Sequence, residues 1–250
     1  MAVIWGFNLS EMSWSAFGHR KMFDKQWYLR RERVVIYQLA MLICLAAECT
    51  ATYSLSKYET HQTNIEARSG YTAHVHNNSL VASQYLTIIF CISVAVLFGT
   101  DFFFLLFWPA RTYPRWYNNA RQLLAVGITA GVGAATLMST IVVFTGAEYI
   151  TGVSADQAQE YRAFFFRPPK VYRAWAVNVA YVVLLWIGFV FTLLSTMLML
   201  MAITYDTSIR DVRVQAERLV PDSVILVEFP ARDKDYENEI DKVFHFDGDA

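Results

Sequence analysis

Residues 101–116 read DFFFLLFWPARTYPRW, and this stretch decides the class of fold. An apolar run over 102–107 meets Trp108 and is followed by Pro109, Arg111, Tyr113, Pro114, Arg115 and Trp116, a mixture of rings, guanidinium groups and helix breakers. That mixture suits a membrane headgroup region better than a soluble loop. Trp and Tyr set an apolar body toward acyl chains and a polar tip toward water, while Arg keeps its charge among phosphates. The stretch therefore reads as a cytoplasmic hairpin between two membrane spans.

The chain on either side agrees. It has 250 residues, 55% hydrophobic and 17% charged, with a mean hydropathy of +0.29. The apolar excess gathers in four blocks, 34–55, 82–108, 123–147 and 174–204. Each reaches or exceeds the ~20 residues a helix needs to cross ~30 Å of hydrocarbon. The expectation is an all-α, four-helix transmembrane bundle over 34–204. A basic, aromatic leader (1–33) precedes it, and a tail (205–250) follows with an amphipathic helix, a β-prone run at 224–229 and an acidic end. No apolar segment precedes the basic cluster of the leader, so the first span is expected to serve as an uncleaved anchor. Fifteen of the 21 Lys and Arg fall in the leader, the 109–122 hairpin and the tail. By the positive-inside rule both termini face the cytoplasm. The chain is expected to be an integral, multi-pass protein of the plasma membrane or a secretory-pathway membrane.

Four polar side chains interrupt the spans: Gln38 and Glu48 in the first, Asp101 in the second and Asn178 in the last. Such groups face other helices or a wet cavity rather than lipid, and mark either packing or transport. Asp101 lies seven residues before Trp108, about 10 Å above the inner boundary, and Glu48 about 21 Å above it, too far apart for a shared-proton pair. Arg121 opens the third span in the same leaflet and is the expected partner of Asp101. Gly127 and Gly131 in the third span form a small-xxx-small pair that lets a second helix approach closely, within one bundle or between copies.

The connectors offer weaker signals. The first, 56–81, carries His61, His74 and His76, read as solvated loop histidines, and the glycosylation sequon Asn77-Asn78-Ser79. The 148–173 connector contains Phe164-Phe165-Phe166-Arg167-Pro168-Pro169, expected to lie in the outer interface. Cys44, Cys49 and Cys91 all fall inside spans and supply no extracellular disulfide framework.

Recognisable catalytic patterns are missing. There is no G-x-S-x-G, P-loop, H-E-x-x-H or C-x-x-C. His19 and Asp24 match an H-x4-D spacing alone, without a phosphate-binding companion. A net charge of −1 speaks against a nucleic-acid partner. No catalytic, cofactor or metal residues are expected.

Four spans, the Arg30-Arg31-Glu32-Arg33 entry to the first and the small-residue third span resemble MARVEL-like four-helix membrane proteins over 30–204. The resemblance implies a non-enzymatic role in membrane organisation or trafficking. Expected partners are lipids, a second copy or another membrane protein, and a cytoplasmic protein on the tail. The alternative is a small transporter or channel subunit using the intramembrane polar residues.

Overall fold

The computed structural model describes residues 3–4, 7–8, 12, 14–18, 22, 29–108, 113–164 and 168–219. Two short strands, β1 (Val3–Ile4) and β2 (Phe7–Asn8), pair antiparallel, and Trp14–Phe17 forms a 3-10 turn. Four long helices follow: α1 (Arg30–Arg68), α2 (Asn78–Phe107), α3 (Arg115–Thr145) and, after a short α4 (Ala155–Phe164), α5 (Ala176–Leu219). Each contains a stretch long and apolar enough to cross a membrane, and the chain is a mostly helical multi-pass membrane protein. Two units divide it, Met1–Ile203 and Thr204–Ala250. In the second, the expected amphipathic extension is helical through Leu219. The 224–229 run, the acidic end, His19, Asp24, 109–112 and 165–167 lie outside the described residues.

Helix α1 corrects the expected first span, which ended at 55. Neither Gly nor Pro occurs between Arg30 and Gly70, and over the polar run 56–68 Gln62 donates to Glu66 one turn on (3.1 Å). The helix stops only where Gly70 and Tyr71 take left-handed φ angles of 62° and 65°. At 1.5 Å per residue its 39 residues measure about 58 Å, almost twice the hydrocarbon thickness. The polar run is therefore the part that projects beyond the bilayer.

The helices bury a seam spaced alternately by three and four residues, the heptad period that brings one stripe continuously against neighbouring helices. On α1 it runs Arg30, Arg33, Tyr37, Ala40, Cys44, Ala47, Ala51, Ser54, Tyr58, His61, Ile65. On α2 it passes through Gln84, Thr87, Cys91, Val94, Phe98 and Asp101, and on α5 through Asn178, Tyr181, Leu185, Thr192, Ser195 and Met199. Helix α3 follows the spacing from Arg121 through Ala125, Val132 and Ala135 to Ser139, with Ile128 half-buried. Large apolar residues stand outside: Leu42, Ile89, Val96, Leu123 and Ile141 are all exposed to the lipid side. Small and polar residues fill the interior, so backbones come close without a thick apolar core.

Gly131 shows that approach directly. A Cβ there would collide with the Phe90 ring of α2. Gly127 behaves differently: it is exposed with nothing within 4 Å, so the expected packing pair is half correct within the chain. At one end of the bundle α2 turns into α3, here the hairpin end. At the other, β3 (His74–His76) pairs antiparallel with β4 (Tyr149–Thr151), here the sheet end.

Candidate functional site

The polar members of the seam form separate clusters along the bundle. Near the sheet end, Gln84 Nε2 donates to Ser54 Oγ (2.7 Å), which donates to Asn178 Oδ1 (2.6 Å). Asn178 Nδ2 in turn donates to Tyr58 Oη (3.2 Å) and to the Tyr172 carbonyl (3.0 Å), and Tyr58 Oη donates to the Pro169 carbonyl (3.3 Å). One directed chain of donors thus passes from α2 to α1 to α5 and out to the connector. Asn178 is its hub, and the need to satisfy three polar valences explains an Asn that is wholly buried in an apolar span.

Above this chain sits a cluster the sequence reading missed. His61, expected in a solvated loop, lies in α1 and is 2% exposed. Its Nε2 is 3.5 Å from Glu148 Oε1, and Arg162 Nη2 donates to the same oxygen (2.7 Å) and to the Glu148 carbonyl (3.4 Å). Glu148 precedes β4 and Arg162 belongs to α4, so the cluster ties the connector to the projecting end of α1. Burial pushes the phenol of nearby Tyr172, in the 3-10 turn Tyr172–Ala174, up to about 12, with the Glu148 charge adding to the effect. The other histidines stand apart from His61: on β3, His76 stacks on Tyr149 (4.6 Å) and bonds Thr151 Oγ1 (2.9 Å).

The hairpin end has its own ion pair. Arg121 Nη1 donates to Asp101 Oδ1 at 3.2 Å, the partnership expected from the sequence. Arg33 Nε donates to Tyr37 Oη (3.2 Å), the Tyr37 ring packs on Phe98 (5.1 Å), and Arg30 Nη2 donates to the Leu106 carbonyl (3.5 Å). Between the two ends the seam carries short links, Thr87 to Ser139 (3.3 Å), Cys44 to Thr192 (3.8 Å) and Thr129 to Thr196 (2.7 Å), among buried Val94, Val132 and Leu185. The three cysteines are free thiols.

The sequence-derived positions thus separate. Asp101 and Asn178 are buried in different clusters. Gln38 and Glu48 flank the α1 seam half-buried, a correction to the expectation that Glu48 turns fully toward other helices. Asn77 of the sequon is 1% exposed immediately before α2, and both its amide atoms are buried without a hydrogen-bond partner among the described residues. A glycan at Asn77 would have to attach to an atom the fold encloses. Glu148 had no detectable signal in the sequence, being one acid in a connector. His61 had one: it continues the three-four spacing of α1 beyond the point where hydropathy falls. Comparisons with protein-family models, curated proteins and solved structures give no match to this chain.

Proposed function

We propose that the chain is a non-enzymatic, MARVEL-like membrane protein that organises a membrane domain, its trafficking or a set of partners. Its hairpin end and both termini face the cytoplasm, in the plasma membrane or a secretory-pathway membrane. The observation that carries this reading is the closure of polar groups on one another. A translocation path needs Gln38, Glu48, Asp101 and Asn178 along one wet route. Instead Asn178 spends its valences on Ser54, Tyr58 and Tyr172, Asp101 is held by Arg121, and apolar Val94, Val132 and Leu185 lie in the seam between them. Rigid, internally satisfied helices suit a platform whose outward faces meet lipids, a second copy or another membrane protein, with the tail offered to a cytoplasmic partner.

Transport is the second reading, favoured by one observation: Glu48, deep in a span, has no hydrogen-bond or ion-pair partner among the described residues. Reconstitution separates the two. Proteoliposomes should show proton and ion flux equal to protein-free vesicles, while crosslinking in native membranes should give a discrete complex that is lost when 205–250 are removed. Flux that disappears in Glu48→Gln would replace the platform with a transporter.

A further inference from the structure

The Asp101–Arg121 pair leaves one carboxylate oxygen unused. Asp101 is 2% exposed; Oδ1 accepts from Arg121, and Oδ2 is buried without a hydrogen-bond partner among the described residues. The same side chain lines a groove of about 340 Å³ between α2 and α3. Ile92, Val96, Leu97, Leu124 and Ile128 make its apolar walls, and Ser93, Thr100, Asp101 and Tyr117 its polar lining. Val96 and Leu124 are 63% and 56% exposed, so the groove opens on the lipid-facing surface.

Its hydrogen-bonding character is one-sided. Ser93 donates its hydroxyl proton to the Ile89 carbonyl (2.8 Å) and Thr100 donates to the Val96 carbonyl (2.6 Å). Both hydroxyls therefore offer only lone pairs to the groove, as Asp101 Oδ2 does. A ligand must bring a donor. Charge narrows the choice: Arg121 and Arg33 both act electrostatically on the Asp101 carboxylate, so two cations already face one acid. A cationic headgroup would be repelled, whereas a neutral hydroxyl would not.

Geometry sets the orientation. Asp101 lies about 9 Å inside the end of α2, and the apolar walls continue to Ile92, about 13 Å further toward the bilayer centre. An amphiphile would lie along the acyl chains with its polar end toward the hairpin. The slot is single and bounded by branched side chains from two rigid helices. A rigid fused-ring body fills such a space, while a two-chain lipid must splay its second chain out. We infer that the groove binds a sterol, whose hydroxyl donates to Asp101 Oδ2 with Tyr117 at the polar end. The site requires only that the helices span a membrane, and stands independently of the platform reading.

The test uses the full chain in lipid nanodiscs with a photoactivatable sterol carrying a ring diazirine, and peptide mapping of the adduct. Labelling is expected on α2 and α3 around the groove. Unlabelled sterol should compete at least about tenfold better than its 3-O-methyl ether, which cannot donate. Val96→Trp fills the open rim without entering the seam and should abolish labelling while thermal stability stays at the wild-type level. Asp101→Asn should lower labelling about tenfold; should that variant fail to fold, the ether competition and Val96→Trp decide. The assignment is overturned by equal competition from the ether, by wild-type labelling of Val96→Trp, by labelling elsewhere on the chain, or by diacylglycerol or ceramide competing better than sterol.

Discussion

At the hairpin end both members of the buried ion pair, Asp101 and Arg121, ride on membrane-spanning helices. At the sheet end only His61 does, while Glu148 and Arg162 come from the connector. A pair carried on two long helices is placed by their register, and removing one member strands the other in a low-dielectric bundle. A pair carried on a connector is placed only after the chain has folded back over the bundle, and its outer member can turn toward water. Similar chemistry therefore has different consequences at the two ends.

Substitution can break this contrast. Asp101→Ala should cost the most, about 3–5 kcal/mol, because Arg121 is 9% exposed and loses its counter-ion inside the bundle. Glu148→Ala should cost less, about 1–3 kcal/mol, because Arg162 can swing outward and only His61 remains enclosed. Unfolding of the purified protein in mild detergent measures both. A larger loss from Glu148→Ala would mean that the connector, not the helix pair, holds the bundle together.

The two glycines sharpen the same contrast between seam and surface. Gly131→Ala pushes a methyl group into the Phe90 ring and should destabilise by about 1–3 kcal/mol in that assay. Gly127→Ala, with open space around it, should gain about 0.5–1 kcal/mol from the better helix former. If Gly127→Ala instead dissociates a dimer, its open face belongs to a contact between copies.

The smallest expected effect is one of pH. The Tyr172 phenol titrates higher in the folded chain, at about 12, than the ordinary ~10. The fold therefore favours its neutral form, and the stability this contributes is complete below pH ~10 and lost as the pH climbs toward 12. The stability of wild type relative to Tyr172→Phe should fall across that interval and stay constant below it. A constant difference up to pH 12 would remove Tyr172 as a contributor to the alkaline sensitivity of the sheet end.

Hydropathy made the fold legible because it reports what faces lipid. Leu42, Ile89, Val96 and Ile141, the residues that raise it, are all on the outside. The same bias hid the projecting part of α1. Past Leu55 the outward residues turn polar, as Lys57 and Glu59 do, yet Tyr58, His61 and Ile65 remain buried at the seam spacing. Asp101 and Arg121 could be matched because both sit at definable depths on adjacent spans. Asn178 could be singled out as an intramembrane amide, but Ser54 and Gln84 could not be named as its partners, since ordinary hydroxyls and amides become specific only when three helices meet. Glu148 depends on the course of the connector, which no periodicity encodes.

The α1 seam also behaves like a reading frame. A helix of 3.6 residues per turn drifts by about 20° per heptad against a seven-residue repeat, so the buried stripe from Arg30 to Ile65 requires about 100° of winding around its neighbours. Deleting one residue between Cys44 and Ala47 would rotate everything downstream by about 100°, the angle of one residue. Ser54, Tyr58 and His61 would leave their partners together, although none of them had been altered. Substitutions in this helix change single words, whereas a one-residue deletion shifts every word that follows, and the pairing of Ser54 with Asn178 and of His61 with Glu148 is written in that frame.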